Sequence, residues 1–118
     1  MPLAAQLVIG FVALLHLYFL VLEMFRWEKP AGLRVFRNTP EKAAITKVLA
    51  ANQGLYNGFL AAGLIWSLIL GSEGRGVAVF FLNCVIVAGV FGSATVSKRI
   101  LYVQALPAAV GVGLLFLS

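Results

Sequence analysis

The sequence predicts an all-α fold: a four-transmembrane-helix antiparallel bundle with both termini on the non-cytoplasmic side. Three observations carry that expectation. First, 62% of the 118 residues are hydrophobic and only 11% are charged, and the mean hydropathy is +1.01. A soluble domain of this size could not hide so much apolar surface. Second, the apolar residues fall into four runs, each near the twenty or so positions that a spanning helix needs, without the alternation of barrel strands. Third, eight of the nine Lys and Arg side chains fall in the first and third connections, which makes those connections cytoplasmic.

The first helix is expected over residues 3–25, long enough at about 1.5 Å per residue to cross a hydrocarbon core of roughly 30 Å. Trp27-Glu28-Lys29-Pro30-Ala31-Gly32 then reads as an interfacial turn. Leu33, Val35 and Phe36, set among Arg34 and Arg37, read as a segment lying on the headgroups. Asn38-Thr39-Pro40-Glu41 is a helix start: Asn38 or Thr39 caps, Pro40 suits the first turn, and Glu41 closes a capping box from Asn38. The second helix is therefore expected over 40–70, about 31 residues or roughly 46 Å, with its first turns, carrying Lys42 and Lys47, standing out of the membrane. Residues 76–96 and 100–117 supply the third and fourth helices. The short connections 71–75 and 97–99 force neighbouring helices to run antiparallel.

One domain over residues 1–118 is the natural count at this length. The single cysteine, Cys84, permits no disulfide within the chain and no CxxC motif. A net charge of +5 clustered beside apolar runs fits an anionic membrane surface and not nucleic acid. The N-terminus lacks a basic region before the apolar run, so no cleaved signal peptide is expected. No phosphate loop, dinucleotide fingerprint, nucleophile elbow or HExxH occurs, and one His with one Cys leaves no metal site.

Glu23 is the most informative residue. A carboxylate inside an apolar span costs several kcal/mol unless paired, protonated or wet, so its default reading is functional. His16 stands seven residues earlier, on the same face and about 10 Å away along the axis. At a similar depth on the second helix lie Asn52, Gln53, Tyr56 and Asn57, within an arc of about 140°. Thr95 ends the third helix at that level, and Gln104 opens the fourth. These eight residues are expected to line one polar chamber facing the cytoplasm. Asn, Gln, Ser and Thr also glue membrane helices together, at about 0.6 kcal/mol per contact. Ala50, Gly54, Gly58 and Ala62 follow a small-xxx-small spacing that marks a close helix contact.

The stretches His16-Leu17-Tyr18-Phe19-Leu20-Val21-Leu22-Glu23-Met24-Phe25-Arg26-Trp27 and Asn52-Gln53-Gly54-Leu55-Tyr56-Asn57-Gly58 resemble the DUF1304 family of small integral membrane proteins of unknown function. Val103-Gln104-Ala105-Leu106-Pro107-Ala108 is similar to its pattern too. The resemblance implies a four-helix membrane protein and carries no activity. A weaker architectural likeness is to the MAPEG family of glutathione-dependent membrane enzymes. Asn52 matches the Asn of their Asn-x-x-Glu pattern, whereas Leu55 stands at the Glu position and Lys47 replaces an Arg.

The leading functional expectation is a multipass inner-membrane protein whose cavity binds or moves a small polar or amphipathic molecule, with Glu23 and His16 as the charge-bearing pair. The alternatives are an enzyme acting on a lipophilic substrate, with Glu23 or His16 as general acid or base, and a structural or assembly subunit. The expected partners are the lipid bilayer, a small-molecule or lipid ligand, and further copies of the chain in a homo-oligomer. No particular cofactor is implied.

Overall fold

A computed structural model describes all residues, Met1–Ser118. Helix α1 spans Leu3–Phe25, the short α2 Pro30–Val35, α3 Pro40–Leu70, α4 Arg75–Thr95 and α5 Leu106–Phe116; there is no strand. A 3-10 turn, Gly71–Gly74, joins α3 to α4, and a π-helical turn, Leu101–Ala105, leads into α5. By length and composition, two helical stretches are apolar enough to cross a membrane: Leu3–Phe25, and Pro40–Thr95 taken through its 3-10 turn. Leu101–Phe116 is a shorter apolar helix.

The local signals explain most boundaries. Thr39, not Asn38, caps α3, its hydroxyl accepting from the Lys42 amide at 3.3 Å. Asn38 instead accepts from the Thr39 amide at 3.0 Å, so the expected Asn38–Glu41 box is replaced by a single cap one residue later. Helix α2 ends in a Schellman arrangement. The Asn38 amide donates to the Leu33 carbonyl and the Arg37 amide to the Arg34 carbonyl, which puts Arg37 in the left-handed region at φ 51°. Gly71, at φ 64°, supplies the left-handed residue that lets the chain leave α3. At the π turn the Leu106 amide reaches back to the Leu101 carbonyl. Pro107 follows, and it has no amide with which to continue the ordinary ladder from Val103.

The chain divides into two compact units: residues 1–14 together with 60–118, and residues 15–59. The first unit holds an apolar core around Ile9, Val12, Leu64, Leu82, Val85 and Leu115. Gly89 lies so close to the π turn that a Cβ there would meet the Ala105 backbone nitrogen at 2.8 Å. The Arg75 guanidinium donates to the Ser118 hydroxyl at 3.1 Å and lies 5.4 Å from the centre of the Phe116 ring, tying the C-terminus to the start of α4.

The second unit packs the last part of α1 against the first part of α3. Leu20 faces Gly58, Glu23 faces Gly54 and Trp27 faces Thr46, so the two segments run antiparallel. The packed stripe of α3 in this unit is Ala43, Ala50, Gly54 and Asn57, at helical spacings of seven, four and three. Ala62 is exposed. A strict four-residue spacing drifts by about 40° per step, so three steps beyond Ala50 it has left the contact face.

Candidate functional site

Glu23 sits two residues before the end of α1 and is buried, 8% exposed. It is buried because α3 has no side chain at Gly54. A Cβ there would meet Met24 Cγ at 2.6 Å and Glu23 Cβ at 3.1 Å. Side chains on a helix lean toward its N-terminus, so Glu23 reaches back along α1 toward the level of Asn57. The Asn57 side-chain amide, 4% exposed, donates to Glu23 Oε1 at 2.5 Å. The second carboxylate oxygen remains an acceptor for another donor or a cation.

His16 is fully buried and lies edge-on to Phe19, with ring centres 5.7 Å apart. About 10 Å of helix rise separates it from Glu23, whose Oε1 is engaged by Asn57. The direct partner of the carboxylate is therefore the amide on α3.

Of the expected arc on α3, Asn57 alone lies in the packed stripe. Asn52, Gln53 and Tyr56 are exposed. Helical geometry gives the reason. Measured from the centre of the packed stripe, Asn57 falls at about 30°, Gln53 at about 70°, Tyr56 at about 130° and Asn52 at about 170°. The arc straddles one edge of the contact, and most of it points away. Thr95 and Gln104 belong to the other compact unit. Thr95 is exposed and returns its hydroxyl to the Phe91 carbonyl at 2.8 Å, while Gln104 is half-buried within the π turn.

An open cavity of about 550 Å³ borders Glu23 within the second unit. Its lining includes the ionisable residues Glu23, Glu28, Lys29 and Lys47 and the apolar Trp27 and Val48. Trp27 is fixed there: its indole N–H donates to the Thr46 hydroxyl at 3.2 Å, which itself donates to the Lys42 carbonyl at 2.7 Å. Phe36 packs on the same indole with ring centres 5.0 Å apart. Sequence reasoning treated Lys29, Lys47 and Trp27 as membrane-surface residues and missed them as lining. The signal available for Trp27 and Lys29 was their place in the turn directly after Glu23; Lys47, on α3, carried none. No three His, Cys, Asp or Glu side chains converge to hold a metal ion.

A strand-free helical chain with two stretches long and apolar enough to cross a membrane is the class of protein this fold defines. The chain belongs to the family described as "Protein of unknown function (DUF1304)", which it matches over residues 10–116. It is similar to the "Uncharacterized protein YpaA" of Lactococcus lactis subsp. lactis (strain IL1403), with 33% identity over 95 residues, 79% of this chain and 80% of that one. No solved structure matches it.

Proposed function

We propose that this is a multipass inner-membrane protein, crossing the bilayer four times with both termini outside, that binds or moves a small polar or amphipathic molecule at Glu23. The stretch Pro40–Thr95 has 56 residues, about 84 Å of helix, and a hydrocarbon core is roughly 30 Å thick. Such a stretch crosses twice, turning at the 3-10 segment. Phe11, Phe80, Phe91 and Phe116 all stand more than half exposed, which suits lipid and not water. The charge asymmetry between connections supports a cytoplasmic 26–47 segment, with the cavity opening at that face of the membrane.

The observation that carries the functional reading is a carboxylate that is buried, bonded on one oxygen and still part of a cavity wall. Structural glue needs no place in a cavity wall. Asn52 and Gln53, on the exposed side of α3, offer amides that pair with the same groups of another copy, which supports assembly as a homo-oligomer. Native mass spectrometry of the detergent-solubilised protein tests the function. Wild type is expected to retain a small-molecule or lipid adduct, and Glu23→Gln to lose it while keeping the same assembly mass. Equal adducts on both proteins, or none on wild type, would overturn the reading.

A further inference from the structure

We infer that the ligand of this cavity is a zwitterionic amphiphile: a molecule with a primary ammonium, a phosphate or carboxylate a few bonds away, and an alkyl chain. The inference rests on the proposed binding role of Glu23 and names the class of molecule bound.

The charge inventory of the wall carries it. Two acidic residues, Glu23 and Glu28, and two lysines, Lys29 and Lys47, line one space. A purely anionic headgroup would be met by both lysines but also by two carboxylates, and a purely cationic one by the reverse. Only a dipolar group satisfies both sets. The donors and acceptors are also unequal in kind. Glu23 lends Oε1 to Asn57 and has its other oxygen free to accept, so it selects a group with N–H donors over a quaternary ammonium, which has none. The lysines act as point charges suited to a phosphate or carboxylate.

The remaining wall argues for the alkyl chain. Met24, Phe25, Val48 and Ala51 line the same cavity. Phe25 is largely exposed at the end of α1, and Val48 is largely exposed on α3, so the apolar side of the cavity is continuous with surface that the proposed topology gives to lipid. Trp27 lines the same cavity, an aromatic of the kind that sits at the membrane interface. At about 550 Å³ the space lies within the range of small-molecule sites, about 300–1,000 Å³. It accommodates a headgroup with the first part of a chain and leaves the rest in the bilayer.

The test uses the full-length protein in detergent with Trp66→Phe, so that Trp27 is the only indole reporter. Three short-chain phospholipids are titrated: phosphatidylethanolamine, phosphatidylcholine and phosphatidylglycerol. Free phosphoethanolamine is the fourth arm. The ethanolamine lipid is expected to bind at least tenfold tighter than the other two lipids, and Glu23→Gln and Lys47→Gln each to weaken it about tenfold. Equal affinity for the choline lipid overturns the claim that carboxylates read N–H donors. Tightest binding of the glycerol lipid overturns the dipolar reading and leaves a basic surface. Free phosphoethanolamine binding as tightly as the lipid overturns the amphiphile and assigns a soluble zwitterion. In these three outcomes, continued sensitivity to Glu23→Gln leaves the proposed binding role standing. If no arm binds, the zwitterionic amphiphile is overturned, and the binding role stands or falls on whether Glu23→Gln removes the adduct that wild type retains in native mass spectrometry.

Discussion

Replacing Gly54 tests the packing that buries Glu23. In a helix interior, Gly→Ala is favourable by roughly 0.5–1 kcal/mol when the new methyl meets open space. Gly10, within α1, is such a position, because a Cβ there meets nothing within 4 Å. At Gly54 the same methyl meets Met24 Cγ at 2.6 Å, Glu23 Cβ at 3.1 Å and the Leu20 carbonyl oxygen at 3.3 Å. Met24 can rotate aside, but the other two atoms move only if the helices separate. Overpacking of this kind costs about 1–3 kcal/mol. The two terms leave Gly54→Ala destabilising by about 1 kcal/mol and Gly10→Ala stabilising by somewhat less, a gap of about 2 kcal/mol. Thermal unfolding of the purified protein in detergent, followed by circular dichroism, reads the gap as several degrees. Gly54→Leu should fall further. A Gly54→Ala midpoint as high as that of Gly10→Ala would refute the close contact between α1 and α3.

Three other predictions follow from single features. Arg37→Gly removes a side chain from a left-handed residue, a strain of about 1–2 kcal/mol offset in part by glycine's entropy; the unfolding midpoint should rise, and a fall contradicts the Schellman assignment. Thr46→Val keeps shape but deletes the acceptor of the Trp27 indole, costing about 1 kcal/mol; in a Trp66→Phe background the emission of Trp27 should shift, and an unchanged spectrum denies the clamp. In a Cys84→Ala background, Lys42→Cys and Ser118→Cys should label from opposite faces of intact membranes. Labelling of both from outside would falsify the assignment from loop charges.

The helix starts were legible because capping chemistry is local: Thr39 and Pro40 mark α3 whatever surrounds them. Glu23 was legible for a different reason, since a carboxylate in an apolar run demands an explanation in any fold. The phase of α3 was not. A helix that is apolar on nearly every side offers no contrast between a core face and a lipid face. The spacing of Ala50, Gly54 and Gly58 marked the close contact, but the polar arc at Asn52, Gln53, Tyr56 and Asn57 looked like an inward side as well, and only Asn57 of that arc is buried. The contact within this unit follows small residues, Ala43, Ala50 and Gly54, with Asn57 set into that stripe. The π turn at Leu101–Ala105 was invisible too, because one extra residue per turn leaves the pattern of an all-apolar segment unchanged; only Pro107 hinted at a broken ladder. The lining lysines were read by their charge alone, as loop residues, because what they enclose depends on how residues 26–47 fold back beside α1.

The central claim is that Glu23 is kept buried for a ligand and not for the fold. Unfolding midpoints of wild type and Glu23→Gln, each with and without added total membrane lipid extract, test it most directly. The side-chain carbonyl that Glu23→Gln introduces still accepts from Asn57, so the variant should unfold within a few degrees of wild type. A ligand at 100 times its dissociation constant stabilises the folded state by about 2.7 kcal/mol, so extract should raise the wild-type midpoint by several degrees and leave the variant unmoved. A variant that melts far below wild type yet keeps the full lipid-dependent rise would contradict the account, and would make the Glu23–Asn57 bond a structural one.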